Sequence, residues 1–228
     1  MSNELLWILF AILNFSILLV MYRMFGKAGL FVWIGMSTVI ANIQVLKTVE
    51  MFGLTATLGN IMYGTVFLAT DILNENHGKK DAKKAVWMGF STLLIMTILM
   101  QVVLTFVPHE SDTMQNSLEA IFSVIPNIAI GSMAAFLVSQ YIDVYLYSKI
   151  KEKLPAHKYL WIRNNGSTMI SQLVDTLIFC SIAFYNLYSF SVWLEIFITT
   201  YVIKFVVSAI DTPFLYISKK INKSDRHD

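Results

Sequence analysis

Seven apolar segments constrain this chain most, because a helix that crosses a bilayer needs about 20 apolar residues. They are Leu5–Tyr22, Ala28–Val49, Leu54–Asn74, Val86–Val107, Ala120–Tyr147, Ser167–Tyr185 and Val192–Tyr216. Hydrophobic residues make up 56% of the 228 residues and charged residues only 14%, whereas soluble domains carry about 25% charged residues. The sequence therefore predicts an all-α integral membrane protein, a polytopic helix bundle of about six to seven spans.

Basic residues are concentrated in loops that alternate along the chain with loops lacking them. If there are seven spans, the lysine- and arginine-rich loops share one side, and the acidic stretch from Pro108 to Glu119 lies on the other. The basic loops are Arg23–Lys27, Lys79–Lys84, Lys149–Arg163 and Lys219–Arg226. The positive-inside rule places the basic loops in the cytoplasm. We therefore expect the N-terminus outside and the C-terminus inside. The same distribution indicates membrane topology rather than a nucleic-acid-binding surface.

Two acidic residues lie inside the third apolar segment, close to its end. Asp71 and Glu75 share one helix face at i, i+4, just before the basic run Lys79–Lys84. An ionisable residue at membrane depth is costly to bury and indicates a functional site. The alternative is that both side chains reach the interface and neutralise the nearby lysines. For this pair alone, both interpretations remain open.

Other apolar segments also carry polar residues at helical spacing. The candidates, in chain order, are Asn42, Gln140, Asp143, Gln172, Asp175 and Lys204. Asp143 has an alternative role at the interface beside Lys149, and serines within spans commonly serve helix packing. Lys204, however, lies about 12 residues from either end of its span, too deep to reach water easily. We therefore expect Lys204 to pair with Asp71, Asp143 or Asp175, and a further acid, Asp211, follows it on the same span.

Aromatic residues lie within about one helical turn of these polar positions. A planar ligand could stack on them, although an ordinary interfacial or core role accounts for any single member. They are Tyr63, Phe67, Tyr141, Tyr145 and Tyr201.

Several classes of function lack their sequence signatures. The single cysteine, Cys180, and the scattered histidines indicate no disulfide framework and no metal site, and we expect no cofactor. The Gly-x-Gly-Asp element of intramembrane aspartyl proteases and the Gly-x-Ser-x-Gly element of serine hydrolases are absent, which argues against an enzyme. No phosphate-binding loop is present, so any use of ATP would need a partner. A binding subunit for a separate ATP-driven module and a scaffold protein remain as alternatives.

Four motifs in order resemble the queuosine-precursor transporter family, earlier described as a vitamin uptake group. They are Phe67–Glu75 (FLATDILNE) followed by lysines, Gln140–Val144, Ser167–Phe179 and Lys204 in the last span. The resemblance implies uptake of a 7-deazaguanine base across the bacterial inner membrane, such as the 7-cyano form, the 7-aminomethyl form or queuine. It implies a small-molecule substrate and the lipid bilayer as partners, and no nucleic acid. The oligomeric state stays open, a homo-oligomer included.

The resemblance also implies which residues bind the substrate. They are Asn42, Asp71, Glu75, Gln140, Asp143, Gln172, Asp175 and Lys204. The chemistry is suitable, since a guanine-like edge offers N–H groups to a carboxylate and a carbonyl oxygen to a lysine or amide. We expect one membrane domain over residues 1–228, with residues 1–24 as an extra span before a family core at 28–218. Deleting the extra span should then leave the core folded.

Overall fold

The computed structural model describes residues 2–51, 54–123, 125–183 and 189–224, and most of them are helical. In chain order the elements are α1 (Asn3–Gln44), β1 (Thr48–Met51), β2 (Leu54–Thr57), α2 (Gly59–Asn76), α3 (Lys79–Val103), α4 (Gln115–Phe122), α5 (Ile125–Lys153), a 3₁₀ helix (His157–Tyr159), α6 (Leu160–Ala183) and α7 (Phe190–Ser224). The predicted all-α bundle is confirmed. The sequence indicates a short uncharged turn around Asn186–Ser189 between the last two spans, and this turn lies largely outside the described residues.

The first helix consists of two antiparallel halves. Gly26 has φ 55° and ψ −141°, a conformation open to glycine but strained for residues with a Cβ. If α1 were straight, its 42 residues would extend for about 63 Å. Instead the Asn3 side chain donates a 2.9 Å hydrogen bond to the carbonyl of Glu50, beyond the other end of α1. The first two predicted spans therefore form a helical hairpin.

A short β-hairpin follows this helix and corrects two predicted boundaries. Thr48 pairs with Thr57 and Met51 pairs with Leu54 in an antiparallel register. The second span therefore ends at Gln44 rather than at Val49, and the third begins at Gly59 rather than at Leu54. The pattern of β-branched residues here favours a strand, and apolar content alone did not distinguish it from a helix.

The fifth predicted span, Ala120–Tyr147, was expected to be broken or kinked near Pro126–Asn127, and the structure breaks it there: α4 ends at Phe122 and α5 begins at Ile125. The break lies just before Pro126, which belongs to the first turn of α5. A proline is tolerated there because its missing N–H would have no helical partner. The helices α3, α6 and α7 extend about two turns beyond their predicted spans at their basic ends.

Within the described residues, four helical segments are long and apolar enough to cross a membrane by length and composition: Asn3–Gln44, Lys79–Val103, Ala129–Lys153 and Trp193–Ile221. Their outward faces expose large apolar side chains, such as Leu13, Leu99 and Val202. Lipid can cover such surfaces at little cost, and these helices identify a membrane protein.

The first half of α1 packs in the core rather than beside it. Phe15 and Leu18 are fully buried, and the Phe15 ring lies 5.0 Å from that of Phe214 on α7. The hydroxyl of Tyr22 accepts a hydrogen bond of 3.1 Å from Asn76 of α2. This packing argues against the expectation that residues 1–24 are accessory to folding.

One end of the bundle gathers the basic loops. Lys27, after the turn in α1, forms a 3.1 Å ion pair with Asp81 at the start of α3. Trp161, after the α5–α6 loop, donates its backbone N–H to the hydroxyl of Tyr216 on α7. We call this end, where residues 23–27, 77–84, 149–163 and 216–220 meet, the basic end. The predicted grouping of the basic loops on one side is therefore present in the fold.

Candidate functional site

A column of polar side chains, most of them buried, runs between α2, α5, α6 and α7. On each helix most of its members recur at spacings of three, four or eight residues, which place them on one side of the helix. This polar column comprises Tyr63, Asp71 and Glu75 on α2, Ser139, Gln140, Asp143 and Tyr147 on α5, Arg163, Asn164, Ser167, Ser171 and Asp175 on α6, and Lys204, Ser208, Asp211 and Lys219 on α7.

The column has three levels along the bundle axis, and each is marked by a contact that one residue of α5 makes. Ser139 contacts Asp175, Asp143 contacts Ser171, and Tyr147 contacts Glu75. These three residues of α5 follow one another at intervals of four, so each level lies about 6 Å along the bundle from the next.

The level farthest from the basic end is built around Asp175. One oxygen of its carboxylate accepts hydrogen bonds from the Tyr63 hydroxyl at 2.8 Å and from the Ser139 hydroxyl at 3.0 Å. The other oxygen pairs with the ammonium of Lys204. The expectation that Lys204 has a carboxylate partner is confirmed, and the partner is Asp175.

The Lys204 ammonium also lies 5.3 Å from the centre of the Tyr63 ring. An aromatic face attracts a cation, so Tyr63 supports both partners of the pair. Three helices, α2, α5 and α7, thus surround the one carboxylate that α6 contributes at this level.

Between Asp175 and the basic end the column contains three carboxyl groups, those of Asp71, Asp143 and Asp211, which we call the middle carboxyl groups. Asp143 accepts a 2.8 Å hydrogen bond from Ser171, and Asp211 accepts one of 2.6 Å from Asn164. No hydroxyl, amide or cationic group of the described residues donates a hydrogen bond to Asp71 or to the second oxygen of Asp143, and the two carboxyl groups can hydrogen-bond to each other when one of them carries a proton. A buried acceptor without a donor is costly, so this part of the column has unused binding capacity.

The level at the basic end is an ionic network around Glu75. Its carboxylate pairs with Arg163 at 2.9 Å, with Lys151 at 3.3 Å and with Lys219. The Tyr147 hydroxyl donates a further hydrogen bond of 3.2 Å. We call these five residues the Glu75 network. It joins α2, α5, α6 and α7 and leaves little of Glu75 free for a ligand.

The remaining candidates from the sequence differ in their surroundings. Gln140 is fully buried one turn before Asp143, and neither atom of its amide has a partner in the described part of the chain. The Gln172 side-chain oxygen is likewise buried and unpartnered within the described ranges. The Asn42 amide nitrogen donates to the Thr38 carbonyl of its own helix at 2.8 Å, and its side-chain oxygen is also buried without a partner in the described residues. The structure therefore brings Gln140 and Gln172 onto column helices, while Asn42 lies on α1.

Only some of the expected aromatic residues belong to the column. The Tyr63 ring contacts those of Phe67 and Phe136 edge to face, at 5.5 and 6.0 Å between centres. Tyr145 is 52% exposed, and its ring lies 5.2 Å from the Lys79 ammonium at the basic end. A stacking role is thus geometrically reasonable for Tyr63 but not for Tyr145.

Sequence reasoning did not single out six members of the column: Ser139, Tyr147, Arg163, Asn164, Ser208 and Lys219. Arg163 had been placed in a basic loop, but it lies in the first turn of α6 and is fully buried. The available signal was spacing, because Ser139 and Tyr147 stand four residues before and after Asp143. Among the described residues, no group of three or more His, Cys, Asp or Glu is arranged to hold a metal ion.

The regions in which this chain is similar to known proteins include the same helices. Residues 57–218 match the family model described as "Putative vitamin uptake transporter". A Bacillus subtilis (strain 168) protein named "Probable queuosine precursor transporter" is 57% identical over 225 residues, which cover 99% of this chain and 98% of the relative.

Two more distant relatives carry similar names. A "Probable queuosine precursor transporter" of Haemophilus influenzae is 27% identical over 64% of this chain and 59% of its own length. The "Queuosine precursor transporter" of Escherichia coli (strain K12) is 24% identical over 75% of each chain. No solved structure matches this chain. The matched region contains nearly all of the polar column, and the chain belongs to the queuosine-precursor transporter family.

Proposed function

We propose that this chain transports a queuosine precursor, a 7-deazaguanine base, across the bacterial inner membrane. The names of the relatives suggest the substrate class, and the polar column suggests where the substrate binds. Transport of the base without chemical change is consistent with the names of the relatives and with the polar column, so we propose no catalytic role. A planar polar base crosses lipid poorly and needs a path lined by polar groups.

The observation that carries this proposal is Asp71. Its side chain is 1% exposed, lies on the same helix face as Tyr63 and Glu75, and accepts no hydrogen bond from a hydroxyl, amide or cationic group of the described residues. A guanine-like edge presents two neighbouring N–H groups, which match the two oxygens of one carboxylate. In this proposal Asp71 accepts both, with Gln140 and Gln172 as neighbouring hydrogen-bonding groups.

The Asp175–Lys204 pair would complete the site. When the site is empty, the ammonium of Lys204 is held by Asp175. When the base binds, its carbonyl oxygen takes over part of that ammonium, and Tyr63 covers one flat face of the ring. Asp143 contributes its second oxygen, to which no hydroxyl, amide or cationic group of the described residues donates. Asn42 remains in the proposal only as a residue that must turn away from its own helix to reach the base.

Glu75 has a different proposed role. Because three cations and a tyrosine already surround it, it is better suited to holding the basic end closed than to binding the base. Release of the substrate on that side would require the Glu75 network to separate.

We also propose the orientation that the basic loops suggest. The basic end would face the cytoplasm, with the N-terminus outside and the C-terminus inside. A reporter fused to the C-terminus should then be active only in the cytoplasm. Activity only in the periplasm would reverse the orientation.

Binding to the purified chain tests the proposed substrate class. A ligand that binds only the folded state raises the unfolding temperature according to its concentration and affinity. The 7-cyano form, the 7-aminomethyl form and queuine should be compared with guanine, and with adenine, whose edge cannot give two N–H donors to one carboxylate. We expect at least one deazapurine to stabilise the wild type and none to stabilise Asp71→Asn. No stabilisation by any of the three bases, or the same stabilisation by adenine, would overturn the proposal.

A further inference from the structure

A strip of lysine and aromatic side chains lies on the outside of the bundle, between α3 and α5, near the basic end. On each helix its members recur every four residues, so they lie along one side of the helix. They are Lys79, Lys83 and Trp87 on α3, and Tyr141, Tyr145 and Lys149 on α5. We call this set the Lys–Tyr strip. Its members are separate from the polar column, and the proposed function does not use them.

The ammonium groups of the strip lie over tyrosine rings of α5. Lys79 is 5.2 Å and Lys149 is 6.0 Å from the centre of the Tyr145 ring. Lys83 is 5.9 Å from the centre of the Tyr141 ring. An aromatic face attracts a cation within about 6 Å of its centre. The two tyrosines therefore gather positive charges from both helices on one side of the bundle.

Little negative charge balances these lysines. Lys149 pairs with Glu152 at 3.5 Å, but both side chains are more than half exposed, and an exposed pair of this kind is weak. Lys79 and Lys83 form no ion pair with any described residue. Asp81, the acid in the first turn of α3, is engaged with a lysine of α1. The strip therefore carries a net positive charge that an anion can neutralise.

The strip becomes apolar along α3, away from the basic end. Trp87 is 49% exposed, and its ring contacts those of Tyr141 and Phe90 edge to face, at 6.0 and 5.8 Å between centres. Trp87 follows Lys79 by eight residues, or about 12 Å along the helix, and the exposed Ile95 lies two turns farther on. A cationic end followed by an exposed apolar surface matches a lipid, whose headgroup is charged and whose chains are apolar. A soluble protein or a nucleic acid would not cover the apolar part.

We propose that the Lys–Tyr strip binds an anionic phospholipid at the membrane surface of the basic end. Lys79, Lys83 and Lys149 bind the phosphate, and one acyl chain packs along Trp87. A zwitterionic lipid also carries a phosphate, but the cation of its headgroup competes with the lysines. The strip therefore selects a headgroup of net negative charge. This site does not depend on the transported substrate.

Titration of the purified full chain in detergent tests the proposal. The ligands are phosphatidylglycerol and phosphatidylcholine with the same brominated acyl chains, because bromine quenches the fluorescence of a tryptophan that it contacts. The part of the quenching that Trp87→Phe removes reports on this strip. We expect phosphatidylglycerol to produce that part at a concentration at least about tenfold lower than phosphatidylcholine. Inorganic phosphate, which has the charge without the chain, should not displace the lipid at the same concentration.

Matched lysine variants locate the headgroup. Lys79→Gln and Lys83→Gln should each weaken binding of phosphatidylglycerol about fivefold. Lys80→Gln is the control and should have a clearly smaller effect, because Lys80 is exposed on the same helix and contacts no ring of the described residues. The unfolding temperature without lipid shows whether each variant folds, and Lys149→Gln replaces one that does not.

The outcomes separate a built site from a generally basic surface. Preference for phosphatidylglycerol that depends on Lys79 and Lys83 but not on Lys80 would support the inference. Equal affinity for the two lipids, equal losses in the strip variants and in Lys80→Gln, or displacement of the lipid by inorganic phosphate would overturn it.

Discussion

Glu75 of α2 and Arg163 of α6 form a 2.9 Å ion pair in which neither side chain is more than 3% exposed. Arg163 also donates to the carbonyl oxygens of Leu154 and Ala156, at 2.7 and 3.2 Å, in the loop between α5 and α6. The guanidinium of Arg163 thus links α2 to the loop between α5 and α6. This contact therefore helps to hold the basic end of the bundle together.

The first prediction follows from this pair. Glu75→Gln should lower the free energy of unfolding by about 3–5 kcal/mol, because it leaves Arg163 buried without its carboxylate. Lys151 and Lys219 are more exposed and can turn to water. Thermal unfolding in detergent measures the effect, with Glu110→Gln, which removes an exposed acidic charge far from the column, as the charge-matched control. If both variants unfold at the wild-type temperature, the Glu75 network does not hold the basic end.

The second prediction concerns Lys204. Lys204→Met should destabilise the protein by about 3–5 kcal/mol, because Asp175 then lacks its cation. Adding Asp175→Asn to that variant should restore part of the loss, since the charge that was left unpaired is gone. Lys204→Arg should keep much of the stability but lose transport, because the wider guanidinium fork does not fit one carbonyl oxygen.

Unfolding temperature and uptake, measured side by side, distinguish these outcomes. Normal transport by Lys204→Met would refute the role of the ammonium in the site. A double variant as unstable as Lys204→Met alone would show that the stability of this level does not depend on the pair.

The third prediction separates the two aspartates. Asp71→Asn and Asp175→Asn should both abolish uptake while the protein stays in the membrane. Asp71→Asn should not lower stability, because no hydroxyl, amide or cationic group of the described residues donates to Asp71. Asp175→Asn should lower stability, because Lys204 loses its partner. Membrane fractions, unfolding temperatures and uptake of labelled base measure the three effects, and wild-type uptake by either variant would end its assignment.

The sequence predicted the general architecture because apolar content and segment length decide it. It also predicted that Lys204 must pair with an acid, since no other arrangement satisfies a lysine at that depth. It did not predict which acid, because the choice of Asp175 depends on how α6 and α7 are rotated against each other. Tyr63 and Ser139, which complete the surroundings of Asp175, were accordingly not identified as its partners.

Local propensity explains the errors in the element boundaries. The segment around Val49 and Thr55 is apolar enough to resemble a span, but β-branched residues and a nearby Gly favour the hairpin observed. Arg163 was placed in a loop because its neighbours are basic. Only tertiary packing shows that its partner, Glu75, is 88 residues away and buried with it.

The fourth prediction concerns the N-terminal segment, residues 1–24, for which the packing favours a role in folding over the accessory role expected from the sequence. Deleting residues 1–24 should prevent stable folding, because it removes Phe15 and Leu18 from the core and Tyr22 from Asn76. Phe15→Ala alone should cost about 3–5 kcal/mol by leaving a cavity beside Phe214. Leu13→Ala is the matched control, since Leu13 is 54% exposed on the same half of α1. If the protein remains stable and active after the deletion, this segment is accessory and the prediction is wrong.

The most direct test of the central claim is transport by the purified chain alone in proteoliposomes. We predict that vesicles containing the wild type accumulate a labelled 7-deazaguanine base faster than empty vesicles and than vesicles containing Asp71→Asn, without added ATP or a partner. Uptake that requires a separate ATP-driven module would make the chain a binding subunit. Equal rates for the wild type, Asp71→Asn and empty vesicles would contradict the account.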